Sequence, residues 1–237
     1  MPEIICLQQD SLKWMAEQSV SNQYTFDLVF TDPPYDSLLR WQGIGTTARM
    51  GFGANKDATK SDKFYECIDK KTLQDACNLM LSLLKSDRHL YVMCDPVYLP
   101  ELILWFRGHK DVTYVKPLVW DKQIPGMGYH WRSTHEYIIF CEKGRRRLNN
   151  LAWEDILRFP RLHKKGSYPT EKPYRLVERI ILNSTKENDW VLDPFCGSGV
   201  TGEVCLRHNR NCVLLDKNPR AIEITKNRIE SARNTFV

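Results

Sequence analysis

The 237-residue chain is 42% hydrophobic and 27% charged, a globular composition that suits one α/β domain with a sizeable core and excludes a disordered or low-complexity chain. Its formal charge of +5 permits a polyanionic partner without requiring one, and no apolar run approaches the roughly 18 residues of a membrane span. Eight cysteines with no Cys-x-x-Cys pair, most of them inside apolar runs, argue against a disulfide frame or a zinc site and for a soluble protein of the reducing cytoplasm.

In chain order, Glu3 to Gln9 reads as a short strand, and Asp10-Ser11 supplies a cap for a helix from Leu12 to about Gln18. The apolar run 26–31 is a second strand and delivers Asp32-Pro33-Pro34-Tyr35. Residues 36–66, with Gly43, Gly45, Gly51 and Gly53 and little periodicity, read as a long mobile loop, and loops of that length in compact domains are usually functional. A stripe at Leu73, Ala76, Cys77, Met80, Leu81 and Leu84 predicts a helix over 69–85. Next come a strand at 89–94, a helix at 98–107, a strand at 112–120 interrupted by Pro117, and a strand at 136–141 behind the polar and aromatic segment 126–135. Basic residues then concentrate between 143 and 165. The remainder predicts a helix at 172–183, a strand at 190–193, a helix at 200–208, a strand at 212–215 and a helix at 219–232. Such alternation implies a mostly parallel sheet covered by helices on both faces, with any site at the carboxyl ends of its strands.

Two turns occupy that position. Pro33 and Pro34 fix their own φ angles and bias the preceding residue away from helix, so the carbonyls of Asp32 and Pro33 are held facing one way beside the Asp32 carboxylate and the Tyr35 ring. In the second turn, Gly197 and Gly199 remove side chains where a strand becomes a helix, and a ligand can approach the backbone closely. No Gly-Lys-Ser/Thr ending follows, which argues against a nucleoside triphosphate. Asp193 places a negative charge at the mouth and favours a cationic or amine-bearing ligand. Asp216, 23 residues further on, stands near the spacing of a ribose-binding acid. A ligand with an amine and a ribose but no phosphate fits both acids, and S-adenosylmethionine is such a ligand.

With both turns in place, the chain resembles the S-adenosylmethionine-dependent DNA amino-methyltransferases, in the permuted beta group whose Asp-Pro-Pro-Tyr precedes Asp-Pro-Phe-x-Gly-Ser-Gly. The matching residues are Asp10, Asp32 to Tyr35, His135-Glu136-Tyr137, Pro169-Thr170-Glu171-Lys172-Pro173 and Asp193 to Gly199, whereas 36–66 and 142–166 match weakly. The resemblance implies an α/β Rossmann-like methyltransferase fold with a seven-stranded, mostly parallel sheet, in a single domain 1–237 with circularly permuted motif order. It implies catalysis by Asp32, Pro33, Pro34 and Tyr35, and a cofactor site built from Asp10, Asp32, Thr170, Lys172, Asp193, Phe195, Cys196, Gly197, Ser198, Gly199, Asp216 and Lys217. Tyr168 and Glu171 stand where the family usually has His and Gln, and Leu214-Leu215-Asp216 stands where it often has Gly-Ile-Glu, so the acid has a shorter reach.

The residue types suit amine methylation. An exocyclic base amine is a poor nucleophile because its lone pair is delocalised. Accepting both amino hydrogens, through the Asp32 carboxylate and the Pro33 carbonyl, frees that lone pair for a methyl group held in line. The base must leave the duplex to reach such a pocket, and Tyr35 can stack on it. By analogy with the family, Asp at 32 favours adenine N6 over cytosine N4. The same amine chemistry on cytosine or RNA, or a binding subunit without turnover, stays open. No Pro-Cys nucleophile of the cytosine-C5 kind occurs, and Cys196 reads as packing. Double-stranded DNA is the expected partner, docked on Arg40 and Arg49 of a clamp at 36–66, on Arg132, and on Arg145, Arg146, Arg147, Arg158, Lys164 and Lys165 of a short target-recognition stretch at 142–166. Trp153 reads equally as base contact or core. A homodimer and a cognate restriction nuclease are further expected partners; no metal site is expected, because His130 and His135 lack ligand spacing.

Overall fold

Strand β2 (Phe26–Thr31) is buried along its whole length and forms the middle of the sheet. In this computed structural model, residues 1–34, 67–126, 131–162, 168 and 170–235 are described. The chain runs β1 (Ile4–Gln8), α1 (Ser11–Ser21), β2, α2 (Lys70–Leu83), β3 (Leu84–Cys94), α3 (Leu99–Gly108), β4 (Val112–Asp121), β5 (His135–Lys143), β6 (Ile156–Arg158), α4 (Tyr174–Ser184), β7 (Trp190–Asp193), α5 (Val200–Arg207), β8 (Asn211–Asp216) and α6 (Pro219–Asn234). These strands make one sheet in the order β1-β8-β7-β2-β3-β5-β4-β6. Strand β5 runs against both its neighbours, and every other pairing is parallel.

Alternation along each central strand feeds two cores, as a sheet buried on both faces requires. Val29, Leu90, Val92, Val213 and Leu215 point to one face, where Trp14 and Met15 of α1, Leu73, Cys77 and Met80 of α2 and Phe106 of α3 cover them. Leu28, Phe30, Tyr91, Met93 and Leu214 point to the other, under Leu176, Ile180 and Ile181 of α4 and Val200, Val204 and Cys205 of α5. Asp10 caps α1 through the amides of Leu12 and Lys13, as its position ahead of Ser11 predicts. No helix among the described residues is long and apolar enough to cross a membrane.

Three features differ from the sequence reading. Among the described residues the sheet has eight strands rather than seven, because the three-residue β6, inside the expected recognition stretch, adds to β4 with Leu157 buried. Strand β3 starts at Leu84 rather than His89, since its residues continue directly from α2 and pair again with β2 beyond a register shift. Pro117 lies within β4 without breaking it. The Val119 amide two residues on donates toward the β6 side, to Asp155, so Pro117 turns its missing donor to the same side before β6 begins. The expected loop 36–66 lies outside the described residues.

A polar group at the sheet's centre sets an acid sensitivity. His89 is fully buried, with Nδ1 2.8 Å from Ser184 Oγ and Nε2 3.0 Å from the Arg146 carbonyl oxygen, and Tyr91 Oη lies 2.8 Å from the same Ser184 oxygen. The carbonyl fixes Nε2 as the donor and leaves Nδ1 to accept from Ser184. Burial pushes the imidazole pKa down to about 4. Between about 4 and the ordinary value near 6.5 the unfolded chain binds a proton that the folded chain refuses, so this group lends stability as pH rises and withdraws roughly 3 kcal/mol on acidification through that window. Asp193, raised to about 7 by burial, has the opposite slope from the ordinary carboxylate range up to about 7. A site-resolved measurement therefore separates them. The His89 Cε1–H resonance of the folded protein should hold its neutral shift down to about pH 4.5, and titration near 6.5 would show the ring to be hydrated.

Candidate functional site

The carboxyl ends of β2 and β7 lie side by side, bringing the proline turn and the glycine turn to one pole of the sheet. Thr31, the last residue of β2, donates its hydroxyl to Asp193 Oδ1 at 3.1 Å across that junction. The Thr201 hydroxyl, in the first turn of α5, donates to Asp193 Oδ2 at 2.5 Å, and the Phe195 amide donates to Oδ1 at 3.2 Å. The sequence reading expects an open charge at the mouth. Instead these three donors hold the Asp193 carboxylate in the interior, where it stitches β2, β7 and α5 together, and burial pushes its pKa up to about 7.

The glycine turn is closed by its own backbone and by β8. Cys196 donates its amide to the Leu215 carbonyl at 2.9 Å, Gly199 to the Cys196 carbonyl at 2.8 Å, and Gly197 to Asp216 Oδ2 at 3.1 Å. Asn218 donates to the other Asp216 oxygen at 2.8 Å, and burial raises that carboxyl's pKa. Gly197 and Gly199 both have positive φ, and a Cβ on Gly197 would stand 3.0 Å from the Tyr168 ring. Tyr168 thus lies against the turn. Cys196 is buried against Thr225 with its thiol pKa pushed up by burial, which suits packing. Phe195 packs on the first core, Ser198 is buried, and Ser11 donates its hydroxyl to the Pro194 carbonyl. At the rim, Lys217 Nζ is 3.9 Å from Asp10 Oδ2.

Across from that turn, Asp32 contacts the ammonium of Lys172 through Oδ2, and Glu136 Oε2 lies 3.7 Å from the same nitrogen. Burial opposes the Lys172 charge, but the Asp32 and Glu136 carboxylates outweigh it and hold its pKa well above the usual lysine value. Pro34 accepts the Ile68 amide at 2.7 Å, which ties the proline turn to the residues before α2. Thr170 is exposed, and its carbonyl oxygen is 3.5 Å from Lys172 Nζ. Tyr35 lies outside the described residues.

The basic residues divide between two poles. Strand β5 carries the chain from Tyr137, opposite Cys94 at the carboxyl end of β3, to Lys143, opposite Arg88 in the first half of β3, roughly 20 Å away at 3.4 Å per residue. Arg145, Arg146 and Arg147 therefore follow at the pole away from Asp32. Arg146 is half-buried there, 4.0 Å from Asp189, its pKa lowered by burial and by Arg88. Lys143 donates to the Leu81 and Leu84 carbonyls and caps the end of α2. Strand β6 returns toward the site, ending with Arg158 opposite Asp121. Arg132, in the β4–β5 connection at the same pole, donates from Nε to the Gly126 carbonyl at 2.6 Å. Trp153 and Phe159 both receive the Arg179 guanidinium of α4 over their rings, at 4.7 and 5.1 Å. Arg40, Arg49, Lys164, Lys165 and His130 lie outside the described residues.

A family model for N6/N4 DNA methylases matches residues 26–227. The chain belongs to the DNA methylase family. It is 50% identical over 228 residues to Type II methyltransferase M2.LlaDCHI of Lactococcus lactis subsp. cremoris, an alignment covering 86% of this chain and 82% of the relative. It is 24% identical over 247 residues to DNA adenine methyltransferase YhdJ of Escherichia coli K12, covering 87% and 76%. The solved structure of the M1.HpyAVI–SAM complex shares the fold, with a TM-score of 0.67, 20% identity, and coverage of 95% of this chain and 98% of that one.

Local sequence spacing does not disclose one residue of this methylase's site. Arg228, on α6, donates from Nε to the Ser198 carbonyl at 2.8 Å, from Nη1 to Glu203 at 2.9 Å, and pairs through Nη2 with Glu171 at 2.7 Å. One guanidinium thus joins the glycine turn to the segment that carries Lys172, and it accounts for a Glu at 171. Removing it leaves two largely buried carboxylates short of a donor. Arg228→Met should weaken binding of S-adenosylmethionine about tenfold by calorimetry, with part of the loss recovered when Glu171→Gln is added. Unchanged affinity in the single variant would mean that the clamp leaves the turn unaffected.

Proposed function

We propose that this DNA methylase moves a methyl group from S-adenosylmethionine to the exocyclic N6 amine of an adenine turned out of double-stranded DNA. The reading is carried by one observation: the proline turn and the glycine turn lie at neighbouring strand ends, linked by the Thr31 to Asp193 hydrogen bond of 3.1 Å. The cofactor fits the residues present. The positive-φ glycine turn sets the Gly197 amide on Asp216, whose carboxylate keeps acceptor capacity beyond its backbone donors for a ligand's hydroxyls, and Asp10 with Lys217 forms the rim. Bound there, S-adenosylmethionine supplies an electrophilic methyl group. The chain's own part is to accept the two amino hydrogens at Asp32 Oδ and the Pro33 carbonyl, directing the nitrogen lone pair, and to stack Tyr35 on the base. Asp193 acts one step back, by fixing the turn.

Adenine is favoured by the Asp at 32 and by the likeness to a relative named a DNA adenine methyltransferase. Phosphate contacts from Arg132, Arg158 and Arg161 at the site pole dock the duplex; Arg145 to Arg147 face away from it. A cognate nuclease in the bacterial cytoplasm, in line with relatives named Type II methyltransferases, and a homodimer complete the proposal. The test is to incubate the protein with methyl-labelled S-adenosylmethionine and unmethylated DNA, and to digest the product to nucleosides. Label in N6-methyldeoxyadenosine is the expected result. Label in N4-methyldeoxycytidine, transfer to RNA only, or no transfer would overturn it.

A further inference from the structure

We propose that Glu136 is a positioning residue for the transfer: it takes over the Lys172 ammonium when the target amine claims Asp32. The proposal rests on the function read above.

Lys172 stands between two carboxylates. Its Nζ contacts Asp32 Oδ2, lies 3.7 Å from Glu136 Oε2, and has the Trp120 ring centroid 6.0 Å away. Only 14% of its side chain is exposed, so the ammonium cannot retreat into water without undoing the segment that Pro173 anchors. The other Glu136 oxygen is 3.3 Å from Lys122 Nζ, which aims the carboxylate and leaves Oε2 toward Lys172. The three groups come from the end of β2, the start of β5 and the segment before α4, and no sequence spacing joins them.

The resting arrangement conflicts with the reaction. The base amine has to share the Asp32 carboxylate that Lys172 pairs with, and a lysine cation left beside a nitrogen that becomes positive opposes methyl transfer. A second carboxylate within a rotamer change resolves both. The ammonium moves onto Glu136 Oε2, Asp32 becomes available to the amine, and Lys172 stays neutralised in the pocket. Glu136 thus acts through Lys172 and touches neither substrate.

The experiment measures single-turnover methylation at saturating DNA and S-adenosylmethionine for Glu136→Gln, Glu136→Asp, Lys172→Met and the Glu136→Gln/Lys172→Met pair. Glu136→Gln should slow the step about tenfold with DNA and cofactor dissociation constants unchanged, and Glu136→Asp should restore most of the rate. In the Lys172→Met background Glu136→Gln should change the rate by less than about twofold, because its target is gone. An equal loss in both backgrounds, or no loss in the natural one, overturns the proposal. Should the Lys172 variant not fold, failure of Glu136→Asp to recover what Glu136→Gln loses overturns it instead. If the natural protein transfers no methyl group to a DNA amine, the function itself fails, which is a separate outcome.

Discussion

Asp32→Ala is expected to lower methyl transfer by about three orders of magnitude or more while binding of S-adenosylmethionine changes only a few-fold. The carboxylate sits at the end of β2, across the junction from the glycine turn, and that turn is held by contacts that do not involve it: Gly197 to Asp216, Cys196 to Leu215, and Arg228 to Ser198. Removing Asp32 takes away the acceptor that shapes the amine and leaves the cofactor cradle standing. Lys172 keeps Glu136 as a partner, and the Asp32 side chain is 25% exposed, so the fold should survive the change. Asp32→Asn separates charge from shape, since an amide oxygen still accepts one hydrogen but brings no negative charge, and its rate should fall between the two. Single-turnover assays beside cofactor calorimetry decide the matter. A parallel collapse of cofactor affinity and rate in Asp32→Ala would make Asp32 a strut of the fold.

What the sequence discloses about this site follows from which features are local. The strand before Asp32 and the strand before Pro194 are predominantly apolar runs closed by rigid or glycine turns, so their position at strand ends is legible. Their adjacency follows from the alternation of strands and helices. The direction in which a carboxylate faces is not local. Asp193 turns inward because Thr31 and Thr201, 162 and 8 residues away along the chain, converge on it. The destination of Arg145 to Arg147 depends on β5 running antiparallel through to Lys143, two residues beyond the expected strand end; the longer strand delivers the cluster to the far pole. Arg228 is hidden for the same reason, and Glu136, although it stands in the matching His135-Glu136-Tyr137 segment, carries no role there. Each gains its meaning from partners on other elements. The Glu at 171, a departure from the family pattern in sequence, becomes intelligible only once Arg228 is seen beside it.

Gly199→Ala should destabilise the protein by about 2–4 kcal/mol and weaken the cofactor site with it. Gly199 has φ +76° and ψ 22°, the left-handed region, where it precedes α5. A Cβ there would lie 2.6 Å from Thr225 Cγ2, 2.7 Å from its Oγ1 and 2.9 Å from its Cα. Thr225 cannot yield, because it is fully buried on α6 and donates its hydroxyl to the Gly197 carbonyl at 3.0 Å. Backbone strain and overlap therefore add, and relief requires α6 to move away from the turn, which breaks the contacts that shape it. Gly108, at the end of α3 with nothing within 4 Å of its would-be Cβ, provides the control, and Gly108→Ala should shift stability by less than about 1 kcal/mol in either direction. Denaturant unfolding of the two variants beside the natural protein makes the comparison. Equal stability of the two would mean that the turn tolerates a side chain, and the close packing of α6 against it would then have no part in holding the cradle's shape.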